Sequence, residues 1–160
     1  MKKVLMVVLG LMVPLLMAGE GGVKEVPNKL DPTYMIPVEK FPKFESEILL
    51  KNGATIRFCC PKSMLHFYFK PYHYPEYGLE DRSEISRMFV RDYLDGKKID
   101  AKKAWYVFGS RLTGPHGDEL IPLASKTRAE LFVKRYGGSR IMDFATVEKK
   151  GYGLVKFLDL

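Results

Sequence analysis

The run Thr55-Ile56-Arg57-Phe58-Cys59-Cys60-Pro61 leaves the chain little choice of local structure. Residues 54–58 alternate sides, as a half-buried strand does. Pro61 then favours a helix start, because its missing N–H would have had no partner in the first turn. Cys60 therefore stands where an N-cap stands, and Met64 falls one turn above it on the same helical face. Just upstream, Asn52-Gly53 is a two-residue hairpin signal, since both residues tolerate positive φ. Residues 45–50 supply the partner strand. The helix runs over 61–69 and stops before Pro71.

The same plan returns in the second half. Trp105-Tyr106-Val107-Phe108 reads as a strand, and Gly114-Pro115-His116-Gly117 lies in a hairpin connection. Leu120-Ile121-Pro122-Leu123 returns, with Pro122 assigning it to an edge or a bulge. Ser125 caps a helix over 126–136, whose apolar face is Ala129, Phe132, Val133 and Tyr136. Gly137-Gly138 ends it, and 140–144 is a further strand. Residues 88–93 form a strand that Asp95-Gly96 turns, and 97–103 link onward. The aromatic loop Tyr72 to Tyr77 reads as a rigid connector packed over the core. The pattern predicts an α+β fold of two duplicated ββαβ units, about 44–95 and 104–145. The tail, 146–160, is a short helix or a strand.

Residues 1–18 carry the marks of an export signal: Lys2-Lys3, an apolar run from Val4 to Met17, then Ala18. The run is short for a membrane span; an uncleaved anchor is the alternative reading. No cysteine follows the run, which predicts a chain without a lipid anchor. Residues 19–43 are Gly- and Pro-rich with no period, an irregular arm in which Tyr34-Met35-Ile36-Pro37 packs against the domain. Export, most simply to a bacterial periplasm, leaves about 140 of the 160 residues, enough for one compact core. The formal charge of +7 falls to +5 without Lys2 and Lys3. Its basic residues are scattered among acids, with no basic stripe bearing spaced aromatics. That argues against a nucleic-acid partner.

The chain's only two cysteines are Cys59 and Cys60. Adjacent cysteines form only a strained ring disulfide, so an exported chain that keeps them points to a metal or to transient redox chemistry. A helix N-terminus is expected to lower the Cys60 thiol pKa. Two thiolates with the Met64 thioether and the His66 imidazole make a soft-donor set suited to Cu(I) or Zn. The plain alternative is that these residues, with Phe67, Tyr68 and Phe69, fill the core.

Several runs together resemble the NosL family. They are Val90-Arg91-Asp92-Tyr93, Ile99-Asp100-Ala101, residues 104–110, the 114–122 stretch Gly-Pro-His-Gly-Asp-Glu-Leu-Ile-Pro, the 129–138 helix end and 141–144. The resemblance spans about 36–144. It implies paired ββαβ units related to an organomercurial-lyase domain, and a non-enzymatic accessory role handling Cu(I) for nitrous-oxide reductase assembly outside the cytoplasm. Three steps depart from the family pattern. Tyr34-Met35-Ile36 stands where Cys-Gly-Met is usual, His116 replaces the Met of Gly-Pro-Met-Gly, and Phe58-Cys59-Cys60 replaces a Phe-Asp-Gly-like step. The expectation is a rebuilt Cu(I) site drawn from Cys59, Cys60, Met64, Met35 and His116. Its partner would be a copper-enzyme assembly protein or an apo copper enzyme. Two alternatives stand beside it. One is a metal-free interaction protein. The other is a thiol enzyme related to organomercurial lyase, with Asp92 as the candidate acid.

Overall fold

A computed structural model describes residues 29–159. Strands β1 (Ser46–Leu50) and β2 (Thr55–Phe58) pair antiparallel, with Ile48 facing Ile56. Their turn has three residues, not the two expected. Gly53 N–H donates to the Leu50 carbonyl at 3.0 Å, and Gly53 takes a φ of +87°. Asn52 uses its side chain instead, accepting from Ala54 N–H at 2.9 Å. Helix α1 (Pro61–Phe69) follows at once. Strand β3 (Ile85–Arg91) returns beside β1, and β4 (Lys98–Asp100), which the pattern missed, pairs with β3.

The second unit holds β5 (Trp105–Phe108), β6 (Ile121–Leu123), α2 (Lys126–Tyr136) and β7 (Arg140–Asp143). The sheet orders are β2-β1-β3-β4 and β6-β5-β7. Corresponding strands therefore lie in the same order, and the fold is α+β with a duplicated ββαβ plan. Pro122 sits on the edge strand β6, where a missing ladder donor is tolerated. The tail folds as α3 (Phe144–Lys150) and α4 (Tyr152–Phe157). One large core joins α1, the first sheet, the Tyr106–Met142 face of the second sheet, and the tail residues Phe144, Val147, Val155 and Leu158. A smaller core lies between α2 and the other face of the second sheet, around Val107, Leu123 and Phe132. In the Tyr72–Tyr77 loop, Tyr74 and Tyr77 pack on Phe67, as a connector's would.

The duplication reaches further than the strands. Each unit is preceded by a tight hairpin that opens on an aspartate. Asp31 N–H donates to the Ile36 carbonyl and Met35 N–H to the Asp31 carbonyl, at 2.8 and 3.0 Å. At the same offsets, Asp92 N–H donates to Lys97 and Gly96 N–H to Asp92, at 2.8 and 2.7 Å. Each carboxylate then reaches the start of its unit's helix. Asp31 accepts from Cys59 N–H at 2.8 Å and from Ser63 Oγ at 2.8 Å. Asp92 accepts from Ala124 N–H at 2.8 Å and from the Arg128 guanidinium at 2.6 and 2.8 Å. Asp92, the candidate acid of the thiol-enzyme alternative, is thus a buried anchor of the second unit's helix.

Met35 and Gly96 are equivalent in this scheme. Gly96 has a φ of +73°, and Met35, alone among the described non-glycine residues, has a positive φ, +55°. A side chain there costs about 1–2 kcal/mol, part of which glycine would lose again as unfolded-chain entropy. Met35→Gly is expected to raise stability by about 0.5–1 kcal/mol in urea unfolding. A fall in the urea midpoint would mean that the Met35 side chain contributes more than its backbone costs.

Among the described residues, no helix is long and apolar enough to cross a membrane. The expected export signal, 1–18, lies outside the described residues.

Candidate functional site

Cys59 and Cys60 sit where β2 turns into α1, and both are fully buried. The Cys60 sulfur is the N-cap group, accepting from Ser63 N–H at 3.5 Å. The Cys59 thiol and the Glu119 carboxyl are its polar neighbours. Burial first, then these two neighbours, pushes the Cys60 pKa well up. The expectation of a lowered pKa is therefore reversed. A helix N-terminus acts within one turn and modestly, whereas removal from water disfavours any thiolate that has no cation beside it.

Glu119 is the site residue that sequence reasoning missed. It precedes β6, and its Oε1 accepts from Lys62 N–H at 2.8 Å and from Leu120 N–H at 2.9 Å. Its Oε2 is the one buried side-chain oxygen or nitrogen, among the described residues, without a hydrogen-bond partner. Burial pushes its carboxyl up to about 7, against the pull of Cys60, the two N–H donors and the Lys62 charge. Gly114 makes room for it: a Cβ there would stand 2.9 Å from Glu119 Oε2. The only sequence signal was an acid just before an apolar strand, which does not tell a buried carboxyl from an exposed one.

Lys62 is also fully buried. Its ammonium donates to the carbonyls of His116 at 2.6 Å and Leu158 at 3.1 Å. It pairs with Asp159 Oδ1 at 3.1 Å. Asp159 Oδ1 also accepts from the Tyr34 hydroxyl at 2.8 Å, and Oδ2 bonds His66 Nε2 at 2.6 Å. The Tyr34 ring stacks on the His116 ring, centroids 4.1 Å apart and planes 8° from parallel. His66 meets Tyr34 edge-on at 6.0 Å.

The five expected donors are thus distributed. Cys59 and Cys60 lie together inside. Met64 is buried in the main core. His116 is on the surface, against Tyr34. Met35 is 65% exposed at the hairpin tip. Among the described residues, no three His, Cys, Asp or Glu side chains are arranged to hold a metal ion. The second unit is a control within the molecule. At its equivalent junction stand Ala124 and Ser125, with Ser125 Oγ capping Arg128 N–H at 3.2 Å. The scaffold needs a cap there, and a hydroxyl suffices; the thiols are additional.

The NosL family model matches residues 29–151. The chain belongs to the NosL family. The copper-binding lipoprotein NosL of Stutzerimonas stutzeri is 25% identical over 151 residues, covering 83% of this chain and 74% of its own length. The crystal structure of the copper chaperone NosL from Shewanella denitrificans is 25% identical. It matches with a TM-score of 0.51 over 63% of this chain and 75% of that one. Tyr34 and His116 are two of the departures that the sequence resemblance sets against the family's Cys and Met. Here those two side chains are stacked on each other, so the two substituted positions are spatial neighbours.

Proposed function

We propose that this chain is a copper-binding accessory protein that carries Cu(I) as cargo, with Cys59 and Cys60 as the thiolate donors. The reading rests on the paired thiols at the head of α1, present in one unit and absent at the equivalent junction of the other. Membership of the NosL family and the copper-binding names of its relatives support the choice of metal. Thiolates are strong soft ligands, and low coordination lets Cu(I) pass between proteins by ligand exchange. His116 and Met35 serve as further donors on the outer side. The recipient is an assembly protein or an apo copper enzyme such as nitrous-oxide reductase. Export to the periplasm through residues 1–18 places the carrier where that enzyme is built. No catalysis is part of this role.

An anaerobic Cu(I) titration of residues 19–160 against a competing chelator tests it. About one ion per chain is expected from the paired donors. Cys60→Ser should weaken binding more than Met64→Leu does, because a thiolate carries charge and the Met64 thioether is committed to the core. Binding must release the thiol protons, and the Cys60 pKa is raised, so affinity should drop as pH falls. If Cys59→Ser/Cys60→Ser binds Cu(I) as tightly as the parent, the thiols are not the site. A metal-free interaction protein would then be the better reading, favoured by the Tyr34–His116 stack.

A further inference from the structure

We propose that the Tyr34 hairpin and the C-terminal tail form a gate over the two thiols, with Asp159 as its latch. The proposal rests on the copper reading and adds how the site is controlled. Both cysteines have no exposed surface, so a metal ion cannot reach them in the structure as folded. Tyr34 is tied to the cysteine turn, since its N–H and the Cys59 N–H share the Asp31 carboxylate at 2.7 and 2.8 Å. Its ring lies on His116 and its hydroxyl bonds Asp159. Asp159 in turn is held from three directions, by Tyr34, by His66 and by the buried Lys62 ammonium. Lys62 also binds the carbonyls on both sides of the seam, His116 and Leu158. Residues more than a hundred positions apart in the chain thus meet at Lys62, two residues after Cys60.

Outside the latch is an open cleft of 520 Å³ lined by His116, Gly117, Asp118, Leu158 and Asp159. Asp159 is already paired with Lys62, so the Asp118 carboxylate is the group that favours an approaching cation. The exposed Met35 thioether follows Tyr34 in the chain, so a soft donor stands beside the gate on the solvent side. The separation of the five donors then has a physical sense. Met35 and His116 meet the ion outside, Cys59 and Cys60 hold it inside, and Tyr34 stands between. Met35 keeps a backbone conformation that disfavours any side chain, as expected of a residue retained for its sulfur.

The test is the rate at which a small methanethiosulfonate labels the thiols of the copper-free mature chain. Opening governs that rate when closing is faster than labelling. Asp159→Ala removes all three holds on the tail carboxylate and should speed labelling about tenfold or more. Tyr34→Phe keeps the stack and loses one charge-assisted bond, for a smaller rise of a few-fold. Tyr68→Phe is the control, since it deletes a similar tyrosine–carboxylate bond, 2.6 Å to Glu148, away from the thiols. Cu(I) uptake should accelerate in the same order as labelling. Parent-like labelling in both gate variants, or equal acceleration in Tyr68→Phe, overturns the gate. Because labelling needs no copper, the outcomes separate. Faster labelling without Cu(I) binding keeps the gate and removes the copper reading, and unchanged labelling with tight Cu(I) binding does the reverse.

Discussion

Asp31→Ala is expected to cost about 3–5 kcal/mol of stability, more than Asp92→Ala. Four donors converge on the Asp31 carboxylate: Thr33 N–H at 2.8 Å, Tyr34 N–H at 2.7 Å, Cys59 N–H at 2.8 Å and Ser63 Oγ at 2.8 Å. Each buried donor left without a partner costs about 1–3 kcal/mol, less where water can enter. Asp31 is fully buried, and Cys59 and Ser63 lie in the dry interior. No ion pair among the described residues involves Asp31, so the substitution strands N–H and O–H groups rather than a cation. At Asp92 the stranded groups are Leu94 N–H, Ala124 N–H and Arg128. Arg128 is one-third exposed and keeps Asp95 at 3.1 Å, so its loss is partly screened, and about 2–3 kcal/mol is expected. Asp31→Asn should fall between parent and alanine, because one carboxylate oxygen becomes an amide N–H₂ that cannot accept from Cys59 or the turn. Urea unfolding of the three variants ranks them. An Asp92→Ala loss larger than that of Asp31→Ala would show that the counter-cation, not the number of buried donors, governs these anchors.

Which of these features the sequence discloses follows from the range of the forces involved. The β2–α1 junction is legible because its signals are local. Pro61 cannot sit deep in a helix, and a side chain at the N-cap must accept a bond, so the helix begins where expected. Ser125 and the apolar face of α2 are legible for the same reason. The duplicated strand order follows from repeating one plan twice. Strand β4 was missed because Lys98-Ile99-Asp100 is three residues long and mostly polar, and only pairing with β3 makes it a strand. The tail was ambiguous because α3 and α4 are seven and six residues long. Helices so short depend on tertiary burial, here of Val147 and Val155, more than on propensity.

The site was legible only in part. Two adjacent cysteines can be seen in any sequence; what surrounds them cannot. Lys62 looks like a solvated helix residue, yet it is a fully buried charge because three oxygens from distant segments converge on it. Asp31 sits in a Pro-rich arm that reads as irregular, and its role is visible only beside Asp92. The Cys60 thiol is pushed up rather than down because a helix terminus acts only locally, whereas burial and the Glu119 neighbour come from the fold.

Glu119→Gln is expected to make the protein more stable than the parent at pH 8 and nearly equal to it at pH 5. The Glu119 carboxyl titrates near 7 in the folded protein and near its ordinary 4.5 when unfolded. A raised carboxyl favours the protonated folded state. Its stabilisation is whole below about pH 4.5, declines as pH rises, and is gone above about 7. The gap is roughly 3 kcal/mol if the full shift is realised. Glu45, Asp92 and Asp159 have the opposite sense. Each is lowered by the cations and N–H donors around it against the cost of burial, so each stabilises above the ordinary carboxylate range and loses that below about pH 4. His66, held neutral mainly by burial, destabilises as pH falls below its ordinary 6.5. These groups are common to parent and variant, so the difference between the two isolates Glu119. Glutamine keeps an oxygen for Lys62 N–H and Leu120 N–H and cannot ionise. Urea unfolding at pH 5, 6.5 and 8 should therefore give a parent–variant gap that opens with pH. A gap that stays constant would mean that Glu119 is already ionised in the folded protein, and that the thiols beside it face a carboxylate rather than a neutral acid.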